Sequence, residues 1–145
     1  MKPVDLIARL SAPAAVTGAP FGLDLLDFQQ ALKTRGGVGI YVARDDKTAV
    51  TASKAALFNM PAMDVVHLPG WDILPYDRVS PTAGVSAQRC AALASLSRAG
   101  ETGSPLLVIT TATSLVQRVP PKQTMQAASF ALKSGERINE KALTD

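Results

Sequence analysis

Val38-Gly39-Ile40-Tyr41-Val42-Ala43 is the stretch on which the fold turns, six uncharged residues between Gly36-Gly37 and Arg44-Asp45-Asp46. An unbroken apolar run of this length reads as a strand buried on both faces of a sheet. Forward from it, Asp45 or Asp46 is placed to cap a helix whose Val50, Ser53, Leu57 and Met60 line one face before Pro61. Asp64-Val65-Val66-His67-Leu68 reads as the next strand. A proline-rich stretch from Pro69 to Pro81 is too irregular for regular structure. A helix then runs from Val85 to Arg98, stopped by Gly100, followed by the buried strand Leu106-Leu107-Val108-Ile109-Thr110. Thr113 or Ser114 is placed to cap a short helix ended by Pro120-Pro121.

Backward from Val38, Leu23, Leu25, Leu26, Phe28 and Leu32 have helical spacing, and Gly36-Gly37 ends that helix. Ahead of it the run Ala14-Ala15-Val16 predicts a strand leading into the turn Thr17-Gly18-Ala19-Pro20-Phe21-Gly22. Val4, Leu6, Ile7 and Leu10 have the spacing of one more helix. From Ala14 the order is β-α-β-α-β-loop-α-β-α. Such alternation predicts an α/β fold, a parallel sheet with helices on both faces.

A length of 145 residues suits one domain. The net charge of +3 comes from scattered residues, apart from Arg35, Arg44 and Lys47 around one strand, and a solvated surface is the plainer reading. The single cysteine, Cys90, lies in an apolar helical stretch and reads as a buried, inert thiol of a reducing compartment. Asp5 and Arg9 interrupt any signal-like core, and no apolar run reaches the ~20 residues of a membrane span. A soluble, cytoplasmic protein is expected.

A strand, a glycine-rich turn and a helix form the place where such a sheet holds a nucleoside triphosphate. The working loop, G-x-x-x-x-G-K-[ST], supplies backbone N–H groups, a lysine for the outer phosphates and a hydroxyl for magnesium. Thr17, Gly18, Ala19 and Gly22 stand at the corresponding place, but the two glycines enclose three residues rather than four. Leu23-Asp24 replaces the lysine and hydroxyl, and Pro20 removes a donor. The loop is degenerate, and ATP hydrolysis is rejected for it. No catalytic constellation and no metal-ligand spacing appears elsewhere. His67, the lone histidine, reads as structural or surface.

The block Trp71-Asp72-Ile73-Leu74-Pro75-Tyr76-Asp77-Arg78-Val79-Ser80-Pro81 closely resembles a signature of the transcription-repair coupling factors. Arg89, Leu93 and Leu96 match the arginine and leucine-rich helix that come next. Thr113-Ser114-Leu115-Val116-Gln117-Arg118-Val119-Pro120 is similar to a further family segment, and Leu132-Lys133-Ser134-Gly135-Glu136-Arg137 resembles the entry into the family's second domain. The resemblance runs in order over most of the chain. It implies a P-loop NTPase-like fold of the kind in UvrB domain 1a, with the loop lysine lost, over residues 1–122. Residues 123–145 would be the cut start of a UvrA-binding-type domain.

The same resemblance implies a part in DNA repair, transcription-coupled and of the nucleotide-excision kind. The intact factor would be an ATP-driven DNA translocase that displaces stalled RNA polymerase and recruits UvrA. Its ATP and magnesium belong to motor domains elsewhere, so no cofactor is expected in this non-catalytic piece. Two alternatives remain open, a small nucleotide-binding enzyme of the same sheet class and a UvrB-like damaged-DNA-binding domain. Trp71, Leu74 and Tyr76 are expected to pack over the sheet edge, fixing a loop in which Pro75, Ser80 and Pro81 share the signature and Asp77 and Arg78 are exposed. Arg78, Arg89 and Arg118 are candidates for contacting another domain or DNA phosphate, with a solvated or intramolecular pairing the plainer reading. Ala127 to Lys133 reads as an antiparallel strand whose free edge, at Phe130, could pair two molecules.

Overall fold

The computed structural model describes residues 13, 15–74, 78–99, 101, 103–129 and 135. In chain order these form α1 (Leu23–Arg35), β1 (Val38–Ala43), α2 (Asp46–Asn59), β2 (Asp64–Leu68), α3 (Ala83–Ser97), β3 (Leu106–Thr111), α4 (Ala112–Leu115) and α5 (Lys122–Ala127). The three strands make one all-parallel sheet in the order β1-β3-β2, Ile40 level with Val108 and Val66 level with the same residue.

The fold is therefore α/β, with helices on both faces as the alternation predicted. Successive residues of β3 point to opposite faces, and each face has its own core. Leu107 and Ile109 meet α1 and α2 through Leu25, Leu32, Ala49, Ala52 and Ala56. Leu106 and Val108 meet Ala92, Leu93 and Leu96 of α3 on the other side. Six consecutive buried residues make β3 the central strand.

The helix ends follow local chemistry. Asp45 caps α2, its carboxylate accepting the Thr48 N–H at 2.7 Å. Gly36, at φ +74°, ends α1 with its N–H on the Leu32 carbonyl. Gly39 lets α1 approach β1: a Cβ there would stand 2.8 Å from Leu32 Cδ2 and 3.1 Å from the Phe28 ring.

Several expectations need correction. Val16 is 57% exposed and residues 15–17 have no strand partner, so the described part of the first expected strand is extended chain outside the sheet. β1 is an edge strand, not one buried on both faces. α2 buries an alanine stripe, Ala49, Ala52 and Ala56, while Val50 and Leu57 face outward; small side chains let the helix sit close on the sheet. The cap of α4 is Thr111, whose hydroxyl accepts the Ser114 N–H, rather than Thr113 or Ser114. Cys90 is exposed, because α3 turns Arg89 and Ala92 inward instead. Ala127 ends helix α5 and Ala128 lies in a turn, where a strand was expected. Gln126 holds α5 to the end of α3, its Nε2 donating to the Ser97 carbonyl at 3.1 Å and to Glu101 at 2.9 Å. Residues 130–134 and 136–145, with the proposed pairing strand at Phe130, lie outside the described residues, as do Pro75, Tyr76 and Asp77. Among the described residues, no helix is long and apolar enough to cross a membrane.

Candidate functional site at the carboxyl edge of the sheet

The strands end on a common edge, and two features singled out in the sequence lie on it. The first is the glycine turn. Gly18 and Gly22 take φ +76° and +94°, conformations that favour glycine, and nothing lies within 4 Å of where either Cβ would be. Gly22 stands at the N-cap of α1, where unsatisfied N–H groups and the helix dipole favour an anion. That anion is supplied by the chain itself. Asp24 Oδ1 accepts the Gly22 N–H at 3.1 Å, and Asp24 Oδ2 accepts the Tyr41 hydroxyl at 2.9 Å. Burial, then the hydrogen bond to Asp24 and its charge, push the Tyr41 phenol up to about 12. Thr17 is exposed and Ala19 half-buried.

The second feature is a latch that brings together three segments distant in sequence. Arg89, on α3, is 1% exposed. Its Nη1 donates to the Pro69 carbonyl and, at 3.2 Å, to Ser114 Oγ, and its guanidinium carbon lies 4.5 Å from the centre of the Trp71 ring. Ser114 Oγ donates to the same Pro69 carbonyl at 3.1 Å, and the Trp71 N–H donates to Gln117 Oε1 at 3.0 Å. No carboxylate pairs with Arg89 among the described residues, and its buried Nε has no hydrogen-bond partner there. Burial accordingly lowers its pKa. Below, Thr110 Oγ1 donates to the Leu68 carbonyl at 2.9 Å and ties the ends of β3 and β2 together.

The far end of the signature loop is closed by Asp72, which accepts the Thr82 N–H at 3.3 Å on each oxygen. Those hydrogen bonds hold the Asp72 carboxyl below its ordinary value. Thr82 in turn caps α3.

The candidates therefore divide. Trp71 packs as expected, on Arg89, with 36% of its surface open. Leu74 does not: it is 75% exposed, because the loop leaves the sheet after Trp71. Arg78, Ser80 and Arg118 are at the surface and Pro81 is half-buried. Arg89 is corrected from a surface contact to an internal one, the intramolecular reading of the two. Ser114, Gln117 and Tyr41 were given no role from sequence. Gln117 and Trp71 are 46 residues apart, and no local periodicity links such positions. His67 is half-buried on β2 with its Nε2 unpartnered among the described residues, and burial lowers its pKa against the pull of Asp46. No group of three or more His, Cys, Asp or Glu among the described residues could hold a metal.

The fold and this edge define a small parallel α/β module whose glycine turn is liganded by its own carboxylate and whose long loop is latched by a buried arginine. The chain is a homologue of the transcription-repair-coupling factors. It is 32% identical over 117 residues to that of Haemophilus influenzae, a match covering 81% of this chain and 10% of the relative. It is 34% identical over 83 residues to that of Rickettsia bellii, covering 57% and 7%, and 30% identical over 83 residues to that of Rickettsia conorii. The chain thus spans about 7–10% of the length of these relatives. No protein-family model matches it, and no solved structure matches it.

Proposed function

We propose that this chain is a UvrB-like α/β module of a transcription-repair coupling factor, serving DNA repair as a scaffold with no catalysis of its own. The homology supports the repair role, and one observation carries the non-catalytic reading: the Gly22 N–H, which a phosphate oxygen would need, donates to Asp24. With Leu23-Asp24 where a lysine and a hydroxyl belong, nothing in the turn neutralises a triphosphate or holds magnesium. A degenerate P-loop fold over residues 1–122 accounts for both the sheet and the turn, and residues 123–145 would open the second, UvrA-binding-type domain, with α5 spanning the junction. In this reading ATP, magnesium, DNA and RNA polymerase are handled by other parts of the whole protein, and UvrA mainly by that second domain.

Calorimetry with ATP and magnesium, together with a phosphate-release assay on the purified chain, tests this. Neither binding nor turnover is expected. Micromolar binding with turnover would move the chain to the nucleotide hydrolases and sink the scaffold reading.

A further inference from the structure

β1 has one hydrogen-bonded neighbour among the described residues, β3, so its outer edge is open. Val38, Ile40 and Val42 share the face on which α3 covers Leu106 and Val108, yet they are 44%, 51% and 49% exposed. Edge strands are ordinarily blunted by a charge, a proline or a bulge. Val38–Ala43 carries no charge and no proline, and its six residues pair with β3 without a break. The opposite edge, β2, differs: it begins at exposed Asp64, carries His67, and has Val65 and Val66 half-buried.

We infer that this edge and its aliphatic face form an interface between two copies of this chain, β1 pairing antiparallel with the partner's β1 about a two-fold axis at Ile40. The strand is self-complementary in that register. Ile40 meets the partner's Ile40, and Val38 meets the partner's Val42, all three on one face. Charge fits at both ends. Arg35, in the last turn of α1, falls level with the partner's Asp45, and the symmetry makes that pairing twice. Moving the axis one residue, to Tyr41, sets Val38 against the partner's Arg44 and Arg35 against the partner's Lys47, an apolar-to-charged and a like-charge pairing. The Ile40 register is therefore the one that both the aliphatic face and the flanking charges select. The result is a continuous six-stranded sheet.

Sedimentation of the purified chain across a wide concentration range tests the proposal. A reversible monomer–dimer equilibrium is expected, abolished by Ile40→Lys, which sets two lysines against each other at the axis. Phe58→Lys, at a residue 86% exposed on α2, should leave the dimer intact. Arg35→Glu, which does not touch the strand, should weaken it by roughly tenfold, through loss and reversal of two surface pairs. A monomer at every concentration, a dimer that survives both Ile40→Lys and Arg35→Glu, or equal disruption by Phe58→Lys would overturn the proposal.

Discussion

The Arg89 guanidinium lies over the Trp71 ring, 4.5 Å from its centre, with the Pro69 carbonyl and the Ser114 hydroxyl as its hydrogen-bond acceptors. One side chain of α3 thereby joins the start of the signature loop to the turn after β3. The two blocks that resemble the family are thus two sides of one contact.

Removing that side chain strands both acceptors and empties a buried volume. Arg89→Ala is expected to cost about 2–4 kcal/mol of stability, read from urea unfolding. Trp71 is the sole tryptophan, so its emission should shift to the red as the loop loosens. Arg89→Lys should fall between, since an ammonium lacks the planar fork. A wild-type unfolding midpoint in Arg89→Ala would show that the latch contributes nothing.

Gly39 offers a test of packing rather than of polarity. Its missing Cβ is what lets Leu32 and Phe28 lie against β1. Gly39→Val should push α1 off the sheet and destabilise by about 1–3 kcal/mol. A fully stable valine variant would mean that α1 can slide without loss.

Tyr41 sets an alkaline limit. Its folded value of about 12 stands above the ordinary 10, so its contribution to stability is complete below pH 10 and disappears as pH rises towards 12. Asp24→Asn removes the carboxylate charge but leaves the burial. Spectrophotometric titration of that variant should find the phenol lower than in the parent, yet still above 10. An unchanged titration would remove Asp24 from the account.

At the acid end the α2 cap governs. Hydrogen bonds from Thr48, then Arg44, hold the Asp45 carboxyl down at about 2, against an ordinary 3.8. The cap's contribution is therefore present above pH 3.8 and lost as pH falls through 2. Asp45→Asn keeps a capping oxygen and should flatten this part of the stability profile. If both proteins lose stability in parallel over that range, the cap is not its source.

Much of the scaffold was legible because short-range chemistry sets it. The limits of β1 and β2 and the glycine stop after α1 follow from runs and breakers a few residues long. What the sequence hid was mostly relational. Val38 to Ala43 reads as doubly buried because an apolar strand looks the same at the centre of a sheet and at an unguarded edge. Ala14-Ala15-Val16 has the composition of a strand, but a strand exists only beside a neighbour, and residues 15–17 have none. On α2 the bulky Val50 and Leu57 suggested the wrong face, because close approach to the sheet selects alanine. At the carboxyl edge, Arg89, Trp71 and Gln117 were each visible in a separate segment. Their meeting depends on β3 running between β1 and β2, which no local pattern encodes.

The carboxylate at the head of α1 also bears on how this turn could change. Asp24 is two residues from the amide it accepts, so its effective concentration there far exceeds that of any dissolved anion. Supplying a lysine at position 23 would leave that resident competitor in place, and the new cation would be drawn to Asp24 before any phosphate arrived. Recovering a phosphate site would take at least two coordinated replacements, neither useful alone. The turn is protected from gaining nucleotide affinity by single steps.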